Sequence, residues 1–182
     1  MSDLIEKKLS REIIYDGAVL KVVCDRVVLP NGHESVREMC LHVGAVAVLP
    51  LLDDGRVIME RQYRYPHGRV FLEIPAGKLD SPDEEPLSAA RRELFEETGA
   101  VAESYTPLGE LDTTPALINE KIRLYLAEGI TLGEERRLDE DEFLDVELIP
   151  LEKLYEMVMA GEIKDAKTQV AILKTYAMRK GF

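Results

Sequence analysis

The fold class predicted by this sequence is an α/β (α+β) fold: an α/β/α sandwich on a mixed sheet, preceded by a small antiparallel β subdomain. Three observations carry the prediction. The run Val43–Leu52 is almost continuously apolar, as expected of a central strand buried on both faces. Shorter β-branched segments lie on either side of it. Three helical patterns, one in the middle of the chain and two at its end, supply the covering layers. With 182 residues, 46% of them hydrophobic and 32% charged, the chain is long enough for one globular domain with a real core.

The elements follow in order. Arg11–Tyr15 and Ala18–Leu29 read as strands, with a turn at Asp16-Gly17. Pro30-Asn31-Gly32-His33 carries the Asn-Gly hairpin signal, and Glu34–His42 returns as a third strand. Residues 1–42 are therefore expected to form an N-terminal β piece and residues 43–182 the main domain. After the central strand, Asp53-Asp54-Gly55 is a tight turn and Arg56–Tyr63 the returning strand, followed by Val70–Ile74. Tyr105–Asp112, Lys121–Glu128 and Phe143–Ile149 are further strands. Helical spacing marks Pro150–Ala160 and Asp165–Arg179, separated by Gly161.

Charge and composition exclude several classes. A net charge of −12 argues against general nucleic-acid binding and against anionic membrane surfaces, but not against a small phosphorylated substrate whose charge metal ions screen. No apolar run is long enough to span a bilayer, and the first residues lack a signal-peptide pattern. Cys24 and Cys40 have no CxxC spacing and read as buried free thiols, which fits a cytoplasmic location.

The chemistry is concentrated in Gly77–Gly99, GKLDSPDEEPLSAARRELFEETG. A helix is expected from about Glu84, with Ser81-Pro82-Asp83 as turn and cap, Leu87, Ala90, Leu94 and Phe95 facing a core, and Gly99 as terminator. Helical spacing crowds Glu93, Glu96 and Glu97 along one edge beside Arg91 and Arg92. Like charges at that spacing repel. The arginines offset part of the repulsion, and a hard divalent cation would offset it better. A generic acidic pair on a helix is more often a solvated face, and only the wider pattern changes that reading.

That pattern resembles the Nudix box, in which a Gly is followed by a spaced Glu and then by Arg-Glu-aliphatic-x-Glu-Glu-x-Gly-aliphatic. Here Gly77, Glu84 and Arg92-Glu93-Leu94-Phe95-Glu96-Glu97-Thr98-Gly99-Ala100 take those places. The segment Lys78–Asp83 is longer than the usual gap by one residue, in a turn where insertions are cheap, and Ala100 is small for its position. The likeness extends over most of the chain. Glu60–Pro66, the Pro75-Ala76-Gly77 step, Pro115 and the acidic run Asp139-Glu140-Asp141-Glu142 together resemble the ADP-ribose pyrophosphatase branch of that family.

The resemblance implies Mg²⁺-dependent hydrolysis of ADP-ribose to AMP and ribose 5-phosphate, with Mn²⁺ as a substitute ion. It also implies a homodimer with exchanged N-terminal strands and a substrate site shared between subunits. The Ala76 carbonyl, Glu93, Glu96 and Glu97 are expected to bind metal, with Glu142 adding a ligand. Arg92 would orient the acids. Glu140 is expected as the general base, a role in which Glu142 could replace it. Arg64 is a candidate phosphate contact and Glu120 a candidate substrate contact, with adenine stacking on an aromatic of the N-terminal sheet or of the Tyr63–Tyr65 region. The alternatives are another nucleoside diphosphate sugar, such as GDP-mannose, and a non-catalytic ADP-ribose sensor. A sensor would be expected to lose box acids, and all three are present.

Overall fold

The β-branched segments at the start of the chain pair with one another in a separate sheet. The structure is a computed structural model that describes residues 4–133 and 143–181. It divides into two units: the chain up to Gly44 together with Asp112–Glu120, and the remainder.

In the first unit, strands β1 (Lys7–Asp16), β2 (Lys21–Val28) and β3 (Glu34–Leu41) form an antiparallel sheet in that order. The β2–β3 turn is closed by Asn31, whose side-chain oxygen accepts the His33 N–H at 3.0 Å, and by Gly32 at φ 84°. Asp25 is buried and accepts two 2.7 Å bonds from Arg11, so its charge is compensated inside the sheet. All ten residues of β1 are exposed, and the strand is offset by irregularities at Lys8/Ser10 and Ile13/Tyr15. Cys24 and Cys40 are free thiols but only partly buried, against the expectation of full burial.

The second unit contains two sheets. One has the order β7-β4-β9-β8, with β4 (Ala45–Pro50), β7 (Ala76–Lys78), β8 (Val101–Asp112) and β9 (Lys121–Thr131). Within it β4 runs parallel to β9 and antiparallel to β7, so the sheet is mixed. The other has the order β10-β5-β6, all antiparallel: β5 (Arg56–Arg64), β6 (Arg69–Glu73) and β10 (Leu144–Pro150). A 3-10 turn, Tyr65–His67, joins β5 to β6. Helices α1 (Pro86–Thr98), α2 (Leu151–Met159) and α3 (Ala166–Lys180) complete the unit.

Strand β4 explains the layering. Every residue of it is buried, and its side chains alternate between two cores. Ala45, Ala47 and Leu49 join Met59, Ile74, Leu124, Leu154 and Ile172 on one face, where α2 and α3 contribute. Val46 and Val48 join Ile58, Ala89, Ala90 and Leu94 on the other, where α1 packs. The α/β layering on a mixed sheet is as expected, and three details differ. Pro75–Gly77 is more than a link into the helix: Ala76–Lys78 forms an edge strand that pairs with Ala45–Ala47. Helix α1 is capped by Glu85, which accepts the Ser88 N–H at 2.7 Å, and not by Ser81–Asp83. Pro86 sets this start, because at the first helical position its missing N–H costs nothing. Phe95 is only partly buried, whereas Glu97 is buried.

Candidate active site

Helix α1 and the edge strand β7 bring the box residues together. Gly99 ends the helix at φ 71° and its N–H returns to the Phe95 carbonyl, so Glu93–Thr98 make up the last turns beside β7. The Ala76 N–H leaves the open edge of its sheet and donates to Glu97 Oε2 at 2.9 Å. One turn earlier, the Glu93 carboxylate lies directly on Gly77. A Cβ on Gly77 would sit 2.0 Å from Glu93 Cδ and within 2.2 Å of both carboxylate oxygens. Only glycine permits that approach. Glu97 is 3% exposed, so its carboxylate is held out of bulk water.

Arg92 ties the remaining acids together. Its Nη1 donates to Glu93 Oε1 at 2.7 Å and to Glu96 Oε2 at 3.2 Å. Its Nη2 donates to the Lys78 carbonyl at 3.2 Å and to Glu84 at 3.3 Å. Glu84 in turn accepts the Asp80 N–H at 2.6 Å, which fixes the turn ahead of the helix. Burial pulls the Arg92 pKa down, but Glu93, Glu96 and Glu84 outweigh it and raise the pKa, so the guanidinium is a permanent cation here. Three box glutamates therefore converge on one positive group.

A second charged cluster lies at the end of β6. Glu73, 3% exposed, accepts Arg64 Nε and Nη2 at 2.9 Å each and also pairs with Lys167. Burial pushes the Glu73 carboxyl up, but its two cations outweigh that and hold it at about 2. Arg64 is thus bound side-on to Glu73 and is raised by it, with a weaker attraction from Glu97. Sequence reading missed Glu73 and Lys167. They lie 94 residues apart, and no local pattern links them.

The other expected residues are placed as follows. Glu120 belongs to the first unit, where it accepts the Thr113 hydroxyl at 2.8 Å and lies 3.5 Å from His42 Nε2. Glu140 and Glu142 lie outside the described residues. Among the described residues, no three acids, histidines or cysteines close into a ready metal cage. The oxygens gathered here, those of the box carboxylates, are hard donors, and their chemistry would fit a hard divalent cation.

The NUDIX domain family matches residues 41–170, and the nucleoside diphosphate sugar hydrolase N-terminal domain matches residues 6–39. The chain is 44% identical to an ADP-ribose pyrophosphatase of Bacillus subtilis, over 94% of this chain and 93% of that one. It is 40% identical to a methanol dehydrogenase activator of Bacillus methanolicus, over 92% and 90%. A GDP-mannose pyrophosphatase of Cronobacter sakazakii is more distant, 34% identical over 75% and 74%. A crystal structure of an ADP compounds hydrolase superposes with a TM-score of 0.83 at 24% identity, covering 97% of this chain and 95% of that one, and supports the fold. With its box assembled on α1 and β7 and the domain matched from residue 41 to residue 170, this chain belongs to the Nudix family.

Proposed function

We propose that this protein hydrolyses the pyrophosphate bond of ADP-ribose, releasing AMP and ribose 5-phosphate, with Mg²⁺ as the working ion and Mn²⁺ as a substitute. The observation that carries the reading is the meeting of Glu93 and Glu97 with the Ala76–Gly77 edge, in a chain 44% identical to an ADP-ribose pyrophosphatase. A pyrophosphate is densely anionic, so the work of the site is charge neutralisation and placement of water. Glu93, Glu96, Glu97 and the Ala76 carbonyl would hold the metal, with Glu142 adding to them. Bound there, a divalent cation would neutralise the phosphate oxygens and lower the pKa of a coordinated water.

The chain's own residues do the rest. Ala76 spends its N–H on Glu97 and not on β4. A ladder residue turns its N–H and carbonyl to the same side, so the carbonyl faces the acids too. Arg92 orients Glu93 and Glu96 through its hydrogen bonds and stays protonated throughout. Arg64 offers the guanidinium edge not taken by Glu73 to a phosphate oxygen. Glu140 takes a proton from the attacking water. Glu120 is a further substrate contact in this reading.

We read the protein as a homodimer. Leu9, Ile13, Ile14 and Tyr15 on β1 are each more than half exposed, an apolar strand that a second copy would cover. The two free thiols fit a cytoplasmic location.

The test is product release from ADP-ribose, GDP-mannose, NADH and dinucleoside polyphosphates, with Mg²⁺ and then with chelator. The expected result is Mg²⁺-dependent cleavage, fastest on ADP-ribose. Fastest turnover of GDP-mannose would replace the substrate and keep the chemistry. Binding of ADP-ribose without turnover of any compound would favour the sensor reading. The 40% identity to a methanol dehydrogenase activator favours a second reading, in which the chain acts on a dehydrogenase. Adding a purified alcohol dehydrogenase and its nicotinamide cofactor to the same panel tests it.

A further inference from the structure

The first turn of α3 reaches two consecutive residues at the end of β6. Lys167 pairs with Glu73, and the Thr168 hydroxyl accepts the Ile74 N–H at 3.0 Å. These are the last residues before Pro75 and the metal-side edge strand. Lys167 is 8% exposed and Thr168 fully buried, so the junction is sealed from water.

A lysine in that position is unfavourable on local grounds. The N-terminal turn of a helix carries partial positive charge and disfavours a cation, and burial adds a desolvation cost. Asp165, the helix cap, offsets part of this at 3.2 Å from Lys167 Nζ. What remains is compensated by Glu73, which already has a complete side-on partner in Arg64. Arg64 is half-exposed, so Glu73 held by it alone would be free to turn with that flexible side chain. Lys167, buried and anchored by Asp165, gives Glu73 a second, fixed partner. Arg64 uses Nε and Nη2 on Glu73, and among the described residues its Nη1 donates to none. Its side chain is 40% exposed. The fork is therefore held rigidly on one edge and open on the other, as recognition of a phosphate oxygen requires.

We infer that Lys167 is a positioning residue: through Glu73 it fixes the orientation of Arg64 toward the substrate diphosphate. The inference rests on the reading of Arg64 as a phosphate contact.

A double-mutant cycle tests it, read on whichever substrate of the panel the wild type cleaves best, so that a wrong sugar assignment leaves it intact. Lys167→Met is expected to raise KM about fivefold or more with kcat within about twofold. In an Arg64→Ala background the same change is expected to move KM by less than about twofold, because its target is gone. Lys167→Arg is expected to restore KM. Should Lys167→Met not fold, Lys167→Leu likewise removes the contact to Glu73 and is scored by the same criteria. An equal KM effect in both backgrounds, no KM effect, or a loss confined to kcat would overturn the inference. If Arg64→Ala alone leaves KM unchanged, the phosphate-contact reading fails, a result separable from failure of the coupling.

Discussion

Gly77→Ala is the smallest change that addresses the site. The added methyl would stand 2.0 Å from Glu93 Cδ and 2.1 Å from its Oε1. Ordinary carbon–carbon contact needs about 3.5 Å, so the carboxylate or strand β7 must retreat by roughly 1.5 Å. If Glu93 moves, its 2.7 Å bond from Arg92 breaks. If β7 moves, the Ala76 N–H leaves Glu97. Either route separates groups proposed to hold one metal. Overpacking of this kind costs about 1–3 kcal/mol of stability. A displacement of about 1 Å at a reacting centre costs about a hundredfold in rate. The assay is AMP release from ADP-ribose at saturating Mg²⁺, with thermal unfolding on the same preparation. A kcat within about threefold of wild type would refute the reasoning, since the methyl would then have been accommodated without disturbing the acids.

Three further outcomes follow from the same geometry. Arg92→Ala leaves Glu84, Glu93 and Glu96 without their shared cation and should cost about 1–3 kcal/mol at neutral pH. Mg²⁺ should then raise Tm by more in the variant than in wild type, and equal metal-induced shifts would contradict the account. Glu73 titrates at about 2 in the fold against an ordinary value of 4.5, so its contribution is full above pH 4.5 and is lost as pH falls toward 2. That contribution is on the order of 3 kcal/mol. Urea unfolding of wild type and Glu73→Gln should therefore diverge less at pH 2.5 than at pH 6, and parallel pH profiles would contradict the pairing. Sedimentation should give twice the 20.5 kDa chain mass, falling toward one chain in Ile13→Lys, whereas a monomeric wild type would remove the dimer reading.

Much of this arrangement is legible in the sequence because it is local. The box acids lie within one helix, so their shared edge follows from the helical period, and Gly99 marks the helix end by its left-handed backbone. The central strand is legible because burial on both faces leaves an uninterrupted apolar run. Features set by distant partners are not. Ala-Gly-Lys has no strand pattern, and β7 exists only because Ala45–Ala47 offers a ladder. Burial of Glu97 depends on where β7 lies, not on its neighbours in the chain. The cap at Glu85 was obscured by better capping residues upstream, and Pro86 decides the start. The Glu73–Lys167 pair joins a strand to a helix across most of the domain, and nothing near either residue announces it.

The most direct test is Glu97→Gln, with kcat on ADP-ribose measured across a Mg²⁺ titration. Glutamine keeps an oxygen to accept the Ala76 N–H at this 3%-exposed position and removes only the charge. The account predicts a Tm within a few degrees of wild type and a loss in kcat of about a hundredfold or more that added Mg²⁺ does not recover. Near-normal turnover in the folded variant would contradict the placement of catalysis on the acids of α1.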